Sequence, residues 1–352
     1  MNSLLGKYRP AIILTLALAV FLTFCKLPTT TPTKKWVVTT FASGLNSPRG
    51  VAVDSDGNLY VADTASHTIR KITKEGVIST FASGFNAPYG MAVDSDDNVY
   101  VADADNNRIR RITKDGGLTT FAGSATGTAL GTTNGTGTDA LFDHPLGVAV
   151  DTSGDNNFIY VADSNNHRIR KITSGGDVTI FAGIAENPPG KTNTSGFANG
   201  PGKAAQFDYP EGVAVDSSGI LYVADYYNHC IRKIITSTGN VTTFAGAEPT
   251  SAGSGTRGDD NGAGTAARFN LPSGVAVDSS GNLYVADSEN ERIRKITPEG
   301  TVSTLAGSTW GHKDATGEAA QFRHPTGVAV DSSGNLYVAD AWNHRIRKIE
   351  YK

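Results

Sequence analysis

One segment of the chain is written six times, and this repetition constrains the fold more than any other feature. Residues 49–63 read Arg-Gly-Val-Ala-Val-Asp-Ser-Asp-Gly-Asn-Leu-Tyr-Val-Ala-Asp, and the segment returns with small changes up to residues 326–340. One proline precedes each copy: Pro48, Pro88, Pro145, Pro210, Pro272 and Pro325. Repeats of this length indicate a solenoid, a propeller or an array.

Each repeat encodes four short strands, which we call a, b, c and d in chain order. In the first copy, apolar runs at residues 51–53 and 59–62 flank a turn that contains Gly57. An amphipathic run at 69–72 and a β-branched and aromatic run at 77–82 follow, and no segment shows a sustained helical period. Four antiparallel strands repeated around an axis form a propeller blade. The sequence therefore predicts an all-β fold, a six-bladed β-propeller.

The repeats differ in the length that separates them. Successive prolines lie 40, 57, 65, 62 and 53 residues apart, and the extra residues fall between strand d and the next strand a. These inserts are rich in Gly, Thr, Asn and Ala, which predicts loops. Each insert ends in a Phe three residues before the proline, which we interpret as a plug between blades: Phe142, Phe207, Phe269 and Phe322. Leu45 and Phe85 fill the same position in the two short linkers.

The two ends of the array complement each other. The sixth repeat has strands a, b and c but no strand d before the chain ends at Lys352, whereas residues 36–42 resemble a strand d and precede the first strand a. We therefore predict that the N-terminal strand completes the last blade and closes the ring, which removes an exposed sheet edge.

The repeated residues resemble the NHL repeat family. The matching pattern is Pro-x-Gly-Val-Ala-Val-Asp, then Gly-Asn-Leu-Tyr-Val-Ala-Asp, then Asn-x-Arg-Ile-Arg-Lys-Ile, across about residues 36–352. Cys230 replaces the first Arg of the third segment in one repeat, and residues 65–68 lose both its Asn and its Arg. The resemblance implies a six-bladed propeller. Similar propellers serve as binding platforms, sensor ectodomains, RNA-binding modules, lyases or lactonases, so the function must be argued from the site.

The first residues of the chain are typical of an export signal. Lys7 and Arg9 precede an apolar run from residue 11 to Phe24, which is short for a membrane span and ends at Cys25. This arrangement resembles a bacterial lipoprotein signal, although Phe24 stands where a small residue is usual. We predict a signal peptide at 1–24, a lipidated Cys25 with a tether at 25–34, and the propeller at 35–352. Cleavage elsewhere with secretion, or an uncleaved anchor, would equally place the propeller outside the cytoplasm.

The charge of the chain argues against nucleic acid as a partner. Removing residues 1–24 takes away two basic residues and changes the formal charge from −3 to −5, with 29 basic and 34 acidic residues remaining. Nucleic-acid binding requires a basic surface, which this chain lacks overall. We expect a monomer without a cofactor, held at the membrane by its N-terminal lipid.

Histidines and acids give only weak indications of chemistry. Four of the seven His lie within the repeat itself, which favours structural roles; His144, His312 and His324 remain weak candidates for a zinc site. The Asp-x-Asp turns at residues 54–58 and 94–98 resemble calcium loops faintly, but Asp and Asn in tight turns usually bond their own backbone. The Asp at the end of strand b recurs in every blade, so we expect it to cap the b–c loop or pair with an Arg such as Arg110 or Arg170. No catalytic residue is predicted.

Function must then lie where the blades differ. Strand directions place the residue between Pro and Gly, the b–c loops and the inserts on one face, with a rim raised beside blades three to six. Aromatic and charged residues of this face are the predicted ligand-binding residues: Arg49, Tyr89, Glu211, Tyr226, Tyr227, Glu289, Trp310 and Trp342. We predict a non-enzymatic cell-envelope binding or scaffold protein for an unknown protein or other extracellular ligand. The alternative is a lyase or hydrolase with a metal-assisted site at the channel mouth.

Overall fold

A computed structural model describes residues 34–153, 157–184, 195–249 and 256–352. Lys35–Lys352 form one compact unit, which begins with β1 (Trp36–Ser43). Blade 1 comprises β2 (Pro48–Val53), β3 (Leu59–Asp63), β4 (Thr68–Ile72) and β5 (Ile78–Ser83). Blade 2 comprises β6 (Pro88–Val93), β7 (Val99–Asp103), β8 (Arg108–Ile112) and β9 (Leu118–Gly123).

The remaining blades follow inserts, three of which add a short strand. Blade 3 has β10 (Gly135–Thr136), β11 (Pro145–Asp151), β12 (Phe158–Asp163), β13 (Arg168–Ile172) and β14 (Asp177–Ala182). Blade 4 has β15 (Pro210–Val215), β16 (Ile220–Asp225), β17 (Cys230–Ile235) and β18 (Asn240–Ala245). Blade 5 has β19 (Gly262–Ala263), β20 (Pro272–Val277), β21 (Leu283–Asp287), β22 (Arg292–Ile296) and β23 (Thr301–Ala306). Blade 6 has β24 (Ala315–Thr316), β25 (Pro325–Val330), β26 (Leu336–Asp340) and β27 (Arg345–Tyr351).

Each blade is an antiparallel sheet in the order a-b-c-d, so the predicted six-bladed all-β propeller is confirmed. The predicted closure is also confirmed, because β1 is strand d of blade 6. It pairs with β27 from Trp36↔Tyr351 to Ser43↔Arg345, and the Trp36 and Tyr351 rings lie 5.0 Å apart.

Six glycines bring the inner strands close together around the axis. A Cβ on Gly50 would lie 1.9 Å from the carbonyl oxygen of Tyr89 in the next blade, and one on Gly327 would lie 2.4 Å from that of Arg49. Because such distances exclude any side chain, the Pro-x-Gly glycines permit the close packing of neighbouring blades. The channel between the inner strands encloses only about 60 Å³.

The hydrophobic core lies between blades. The predicted plugs Phe142, Phe207, Phe269 and Phe322 are fully buried, and Leu45 and Phe85 are 6% and 7% exposed. Phe322, for example, packs with Ala286 of blade 5 and Val338 of blade 6. The interpretation of these residues as plugs between blades is therefore confirmed.

The repeated acid at the end of strand b is structural, as expected. In blade 4, Asp225 accepts hydrogen bonds from the Asp208 backbone N–H at 2.8 Å and from Asn228 at 3.0 Å. Arg232 Nη1 donates to the same carboxylate at 2.7 Å, and both side chains are fully buried. Equivalent pairs are Asp163–Arg170, Asp287–Arg294 and Asp340–Arg347. Buried charges of this kind are stable only when they are paired and hydrogen-bonded.

The inserts run differently from the sequence-based expectation. β10, β19 and β24 pair with the first residues of strand d in blades 3, 5 and 6. In blade 4, Gly200 pairs with Val241 in the same way. Gly137 then donates to the Gly176 carbonyl, in the c–d turn at the opposite face. The inserts therefore line the outer edge of blades 3–6, because backbone pairing with strand d is available there.

The helices of the described residues are single 3₁₀ turns, and none is long and apolar enough to cross a membrane. Six form the b–c loops: Thr64–Ser66, Ala104–Asn106, Ser164–Asn166, Tyr226–Asn228, Ser288–Asn290 and Ala341–Asn343. Four lie in the inserts: Gly137–Asp139, Gly202–Ala204, Gly264–Ala266 and Gly317–Ala319. The predicted signal peptide and Cys25 lie outside the described residues.

Candidate functional site

Three of the predicted residues meet at the mouth of the channel. Arg49, Tyr89 and Glu211 each follow the proline that begins strand a, in blades 1, 2 and 4. Arg49 Nη1 donates to Tyr89 Oη at 3.3 Å, and its guanidinium lies 5.3 Å from the centre of the Tyr89 ring. Tyr89 Oη in turn donates to Glu211 Oε1. The ring closure thus joins residues that are far apart in sequence into one hydrogen-bonded chain.

Glu211 is the most unusual member of this group because its carboxylate is buried, with the residue only 6% exposed. Burial raises its pKa, whereas Tyr89, Ser273 and Arg49 act in the opposite direction. Although the Ser273 hydroxyl is near enough to lower the pKa of Glu211, Oε2 makes no hydrogen bond to any of the described residues. A buried polar atom without a partner costs free energy and often marks a place where a ligand or water binds.

A pocket of about 380 Å³ opens above these residues. Its lining residues come from blades 1 to 4: Arg49, Thr64, Ala87, Tyr89, Ala104, His144, Leu146, Tyr209, Glu211, Tyr226 and Tyr227. The rings of Tyr209, Tyr226 and Tyr227 lie 5.0–6.1 Å from one another and form an aromatic wall. Burial, followed by the charge of Glu211, raises the pKa of Tyr209 to about 12, so its hydroxyl stays protonated and can donate.

Another part of the face centres on His324. Its ring stacks on Trp342 at 4.7 Å, and its Nε2 lies 3.4 Å from Glu289 Oε1. Burial, followed by the positive charge of Arg49, lowers the pKa of His324 to about 4, so the imidazole is neutral at physiological pH. Its Nδ1 is buried without a partner among the described residues.

Trp342 also belongs to an exposed group with Trp310, beside the His324 ring. Arg323 lies between them, with its guanidinium 5.4 Å from the Trp310 ring and 5.6 Å from the Trp342 ring. The two tryptophans are 69% and 47% exposed. The structure therefore divides the predicted binding residues. Arg49, Tyr89, Glu211, Tyr226 and Tyr227 share the mouth, while Glu289 of blade 5, Trp310 and Trp342 contact His324 or Arg323.

The three candidate metal ligands do not assemble. His144 faces Asp105 at 3.2 Å, His324 contacts the group just described, and His312 is exposed in an insert. Across the described ranges, no three or more His, Cys, Asp or Glu side chains are arranged to hold a metal ion. A metal site built on these three His is therefore not supported by the geometry. The Asp-x-Asp turns bond their own backbone, as Asp54 does to the Asp56 and Asn58 N–H groups.

The four His of the repeats clasp neighbouring blades. Each Nδ1 accepts the backbone N–H of the residue before the next blade's proline: His67 from Ala87, His167 from Tyr209, His229 from Leu271 and His344 from Ser47. Asn107 and Glu291 accept the equivalent N–H groups of His144 and His324. The structural roles expected for these four His are confirmed.

Two residues of the face were missed from the sequence, Tyr209 and Arg323. Tyr209 occupies the position immediately before the proline, which was considered only where it held a His. Its backbone is left-handed, with a φ of 56°, and its ring joins the aromatic wall. A comparison of all six residues at that position would have identified Tyr209.

Comparison with known proteins agrees with the architecture. The NHL repeat matches residues 45–72, 85–112, 142–172, 207–234, 269–296 and 322–349. NHL repeat-containing protein 2 of Bos taurus is 32% identical over 246 residues, which cover 63% of this chain. They cover only 33% of that relative, so the chain spans about a third of its length.

Two groups of solved structures share the fold. An auxiliary nutrient binding protein of Bacteroides thetaiotaomicron superposes with a TM-score of 0.68 at 18% identity, covering 90% of this chain and 77% of that one. Virginiamycin B lyase of Staphylococcus aureus superposes with a TM-score of 0.56 at 18% identity, covering 91% and 100%. Identities this low carry the fold alone. The six matched repeats and the closed ring place the chain in the NHL repeat family, as a six-bladed β-propeller.

Proposed function

We propose that this chain is a non-enzymatic binding protein of the cell envelope, which takes its ligand at the channel mouth. The observation that carries this proposal is the orphaned Oε2 of Glu211 beneath the pocket of about 380 Å³. A fold that leaves a buried carboxylate oxygen without a donor gains free energy when a ligand supplies that donor.

The lining of the pocket defines the chemistry of the ligand. A hydroxyl or amino group would donate to Glu211 Oε2, and Arg49, which Tyr89 holds over its ring, would meet an acceptor. The aromatic wall of Tyr209, Tyr226 and Tyr227 favours a ligand with a flat or apolar side. The channel below encloses only about 60 Å³, so the ligand rests on the mouth instead of passing through.

The comparisons support binding in a general way. A protein of the same fold from Bacteroides thetaiotaomicron is an auxiliary nutrient binding protein, which is consistent with ligand binding by this fold. For the lyase or hydrolase alternative, a solved lyase shares the fold, but the described side chains offer no cluster of metal ligands. Stoichiometric zinc in the purified protein, lost in His144→Ala or His324→Ala, would favour that alternative.

The proposal is tested by screening residues 35–352 against sugars, amino acids and short peptides by thermal shift, followed by calorimetry. For a ligand found in this way, Tyr227→Ala should weaken binding about thirtyfold, since truncating an aromatic hot spot costs at least about 2 kcal/mol. Glu211→Gln should also weaken binding, because it removes the charged acceptor. Ser217→Ala, in a turn on the opposite face, is the control and should bind normally; the reverse pattern would contradict the site.

We further propose that Cys25 carries a lipid that anchors the propeller outside the cytoplasm. Cys25→Ala should release the protein from membranes in a fractionation experiment, because a lipid anchor requires this thiol. Stable anchoring requires more than one acyl chain, which a lipoprotein carries. Unchanged membrane association of the variant would instead indicate an uncleaved apolar anchor.

A further inference from the structure

Four of the six blades hold a segment of the chain against their outer edge by the same set of contacts. In blade 4, Arg232 Nη2 donates to the Ala198 carbonyl at 2.7 Å and to Asn199 Oδ1 at 2.8 Å. The same two contacts link Arg170 to Thr133 and Asn134, Arg294 to Asp260 and Asn261, and Arg347 to Lys313 and Asp314. The Asn or Asp is followed by the residues that pair with strand d.

Blade 2 has an arginine, an Asp and a Phe at the same positions but no insert bonded to the arginine; we call this set of side chains the cradle. Arg110 occupies the position of Arg232 in the sequence repeat, and its Nη1 lies 3.6 Å from Asp103 Oδ2 and donates to the Gly84 carbonyl at 3.4 Å. Its ion pair is looser than that of Arg232, because Arg108 Nε contacts the same carboxylate at 2.8 Å and Arg110 Nε donates to the Thr119 carbonyl of β9 at 3.2 Å. The guanidinium lies 5.5 Å from the Phe85 ring, as Arg232 lies 5.0 Å from Phe207. No insert precedes blade 2, and in the part of the chain that the structure describes Arg110 Nη2 has no hydrogen-bond partner.

The edge strand of blade 2 is uncovered in the same way. Among the described strands β9 pairs only with β8, so its outer N–H and C=O groups remain available. Leu118, at the start of β9, is half-buried, whereas the corresponding residues of the covered blades are at most 2% exposed: Val38, Val178, Val241 and Val302.

A further donor is in place beside this edge. Thr120 lies opposite Arg110 across the strand pair, the position that Thr243 takes opposite Arg232. Thr243 exchanges hydrogen bonds with Asn199, and Thr40 of blade 6 donates to Asp314 from both its N–H and its hydroxyl. The edge of blade 2 thus presents a guanidinium, a hydroxyl, an apolar side chain and free backbone groups in the arrangement that binds the inserts elsewhere.

We propose that this edge, formed by Arg110, Leu118 and Thr120, binds an extended segment of a partner protein with the chemistry of the inserts. That segment carries an Asn or Asp followed by a small residue, as in residues 133–136, 260–263 and 313–316. Its carbonyl and side-chain oxygen accept from Arg110 Nη2 and Thr120, and its next two residues pair antiparallel with β9 and cover Leu118. Addition of a strand to a free edge is a general mode of peptide recognition.

Blade 1 provides a natural control because its strand c arginine does not make the contacts of the cradle. Arg70 Nη1 donates instead to Thr80 Oγ1 at 2.6 Å, and no ion pair joins Arg70 to Asp63 within the described residues. The hydroxyl that would receive the partner is thus already engaged, so we assign the site to blade 2 and not to blade 1.

The test uses an acetylated and amidated peptide of residues 311–320, the blade 6 insert, titrated into ¹⁵N-labelled protein. We expect saturable shifts confined to β9 and its neighbours, and a dissociation constant at least about tenfold weaker for the peptide with Asp314→Ala, since it loses a hydrogen bond between charged groups. Arg110→Gln and Thr120→Val should weaken binding of the unchanged peptide by a similar factor. Thr119→Val, on the opposite side of the same strand, and Arg70→Gln should not change it.

Absence of saturable shifts at millimolar peptide, or equal affinity for the wild type and both site variants, would overturn the proposal. Self-association of the wild type that is lost in Arg110→Gln would overturn the choice of partner, because the occupant would then be a second copy. Tyr227→Ala should bind the peptide normally, which separates this site from the channel mouth.

Discussion

Blades 4 and 1 have an arginine at the same position of strand c, yet the two side chains differ in burial and in hydrogen-bond partners. Arg232 is fully buried and is bonded to a carboxylate, two carbonyls and an amide oxygen. Arg70 is half-buried and donates to Thr80 at the surface. The difference follows from the insert before blade 4, which covers the arginine and supplies the acceptors that a desolvated guanidinium requires. The same repeat unit is therefore stabilised in two ways, by an added segment or by exposure to water.

The channel mouth joins these two kinds of blade. Arg49 and Tyr89 belong to the bare blades 1 and 2, whereas Glu211, Tyr226 and Tyr227 belong to blade 4 and Tyr209 to the insert before it. The blades without inserts thus supply the cation, and blade 4 with its insert supplies the buried carboxylate and the aromatic wall. A ligand at this site would contact both parts of the molecule.

The largest effect is expected where the ring closes. Deleting residues 35–42 removes all of β1 except Ser43, which leaves most of β27 without its partner strand and exposes Ile349 and Val338 in the blade 6 core. We expect aggregation or a large fall in melting temperature, since an open edge and an exposed core favour association. Circular dichroism and light scattering would measure both.

The matched control for this deletion removes residues 26–33, the predicted tether, and should melt like the full propeller. Equal melting temperatures for the two truncated proteins would mean that β1 does not hold the ring closed. Blade 6 would then be stable without β1 as its fourth strand.

The next largest effect compares Arg232→Met with Arg70→Met. Arg232→Met leaves Asp225 as a buried charge without its cation, and removing one partner of a buried pair costs about 3–5 kcal/mol. Arg70→Met removes a surface contact and should change the free energy of unfolding by about 0.5 kcal/mol or less. Urea unfolding of both variants measures the difference, and similar values would show that the insert does not create the dependence on arginine.

The clasps between blades should make the covered side sensitive to acid. Burial, followed by the charge of Arg257, lowers the pKa of His229, which accepts the Leu271 N–H through Nδ1. A folded pKa below the unfolded value of about 6.5 gives stability that is present above pH 6.5 and lost as the pH falls through the folded pKa. Protonated Nδ1 can no longer accept the bond, so acid weakens the clasp.

His229→Asn isolates this effect, because Asn107 makes the same clasp before blade 3 without titrating. A difference measurement is needed, since burial raises the pKa of Glu291 to about 7 and the resulting pH dependence has the opposite sign. The wild type should lose stability relative to the variant below about pH 6.5 in parallel urea titrations. A constant difference between pH 7.5 and pH 5 would contradict the role of His229.

The features that repeat were predictable from the sequence, and those that depend on a single blade were not. The Phe plugs, the capping Asp and the N-terminal strand follow from residues that recur at fixed spacing, so one copy explains the others. The path of the inserts could not be predicted, because Gly-rich segments such as 134–137 lack the periodicity of a strand and pair only through their backbone. The contact of Arg49 with Glu211 through Tyr89 depends on ring geometry, which joins blades 1, 2 and 4 across the axis.

The smallest effect compares two threonines at the same place in a covered and an uncovered blade. Thr243→Val removes the hydrogen bonds with Asn199 and should destabilise the protein by about 1 kcal/mol, the usual net contribution of one such contact. Thr120→Val, the same substitution in blade 2, should be neutral in the free protein, because Thr120 has no side-chain partner among the described residues. Thr120→Val should lower stability only when the peptide of residues 311–320 is bound. The peptide should therefore raise the melting temperature of the wild type more than that of the variant. A measurable loss of stability in free Thr120→Val would mean that the edge of blade 2 is already occupied from within the chain.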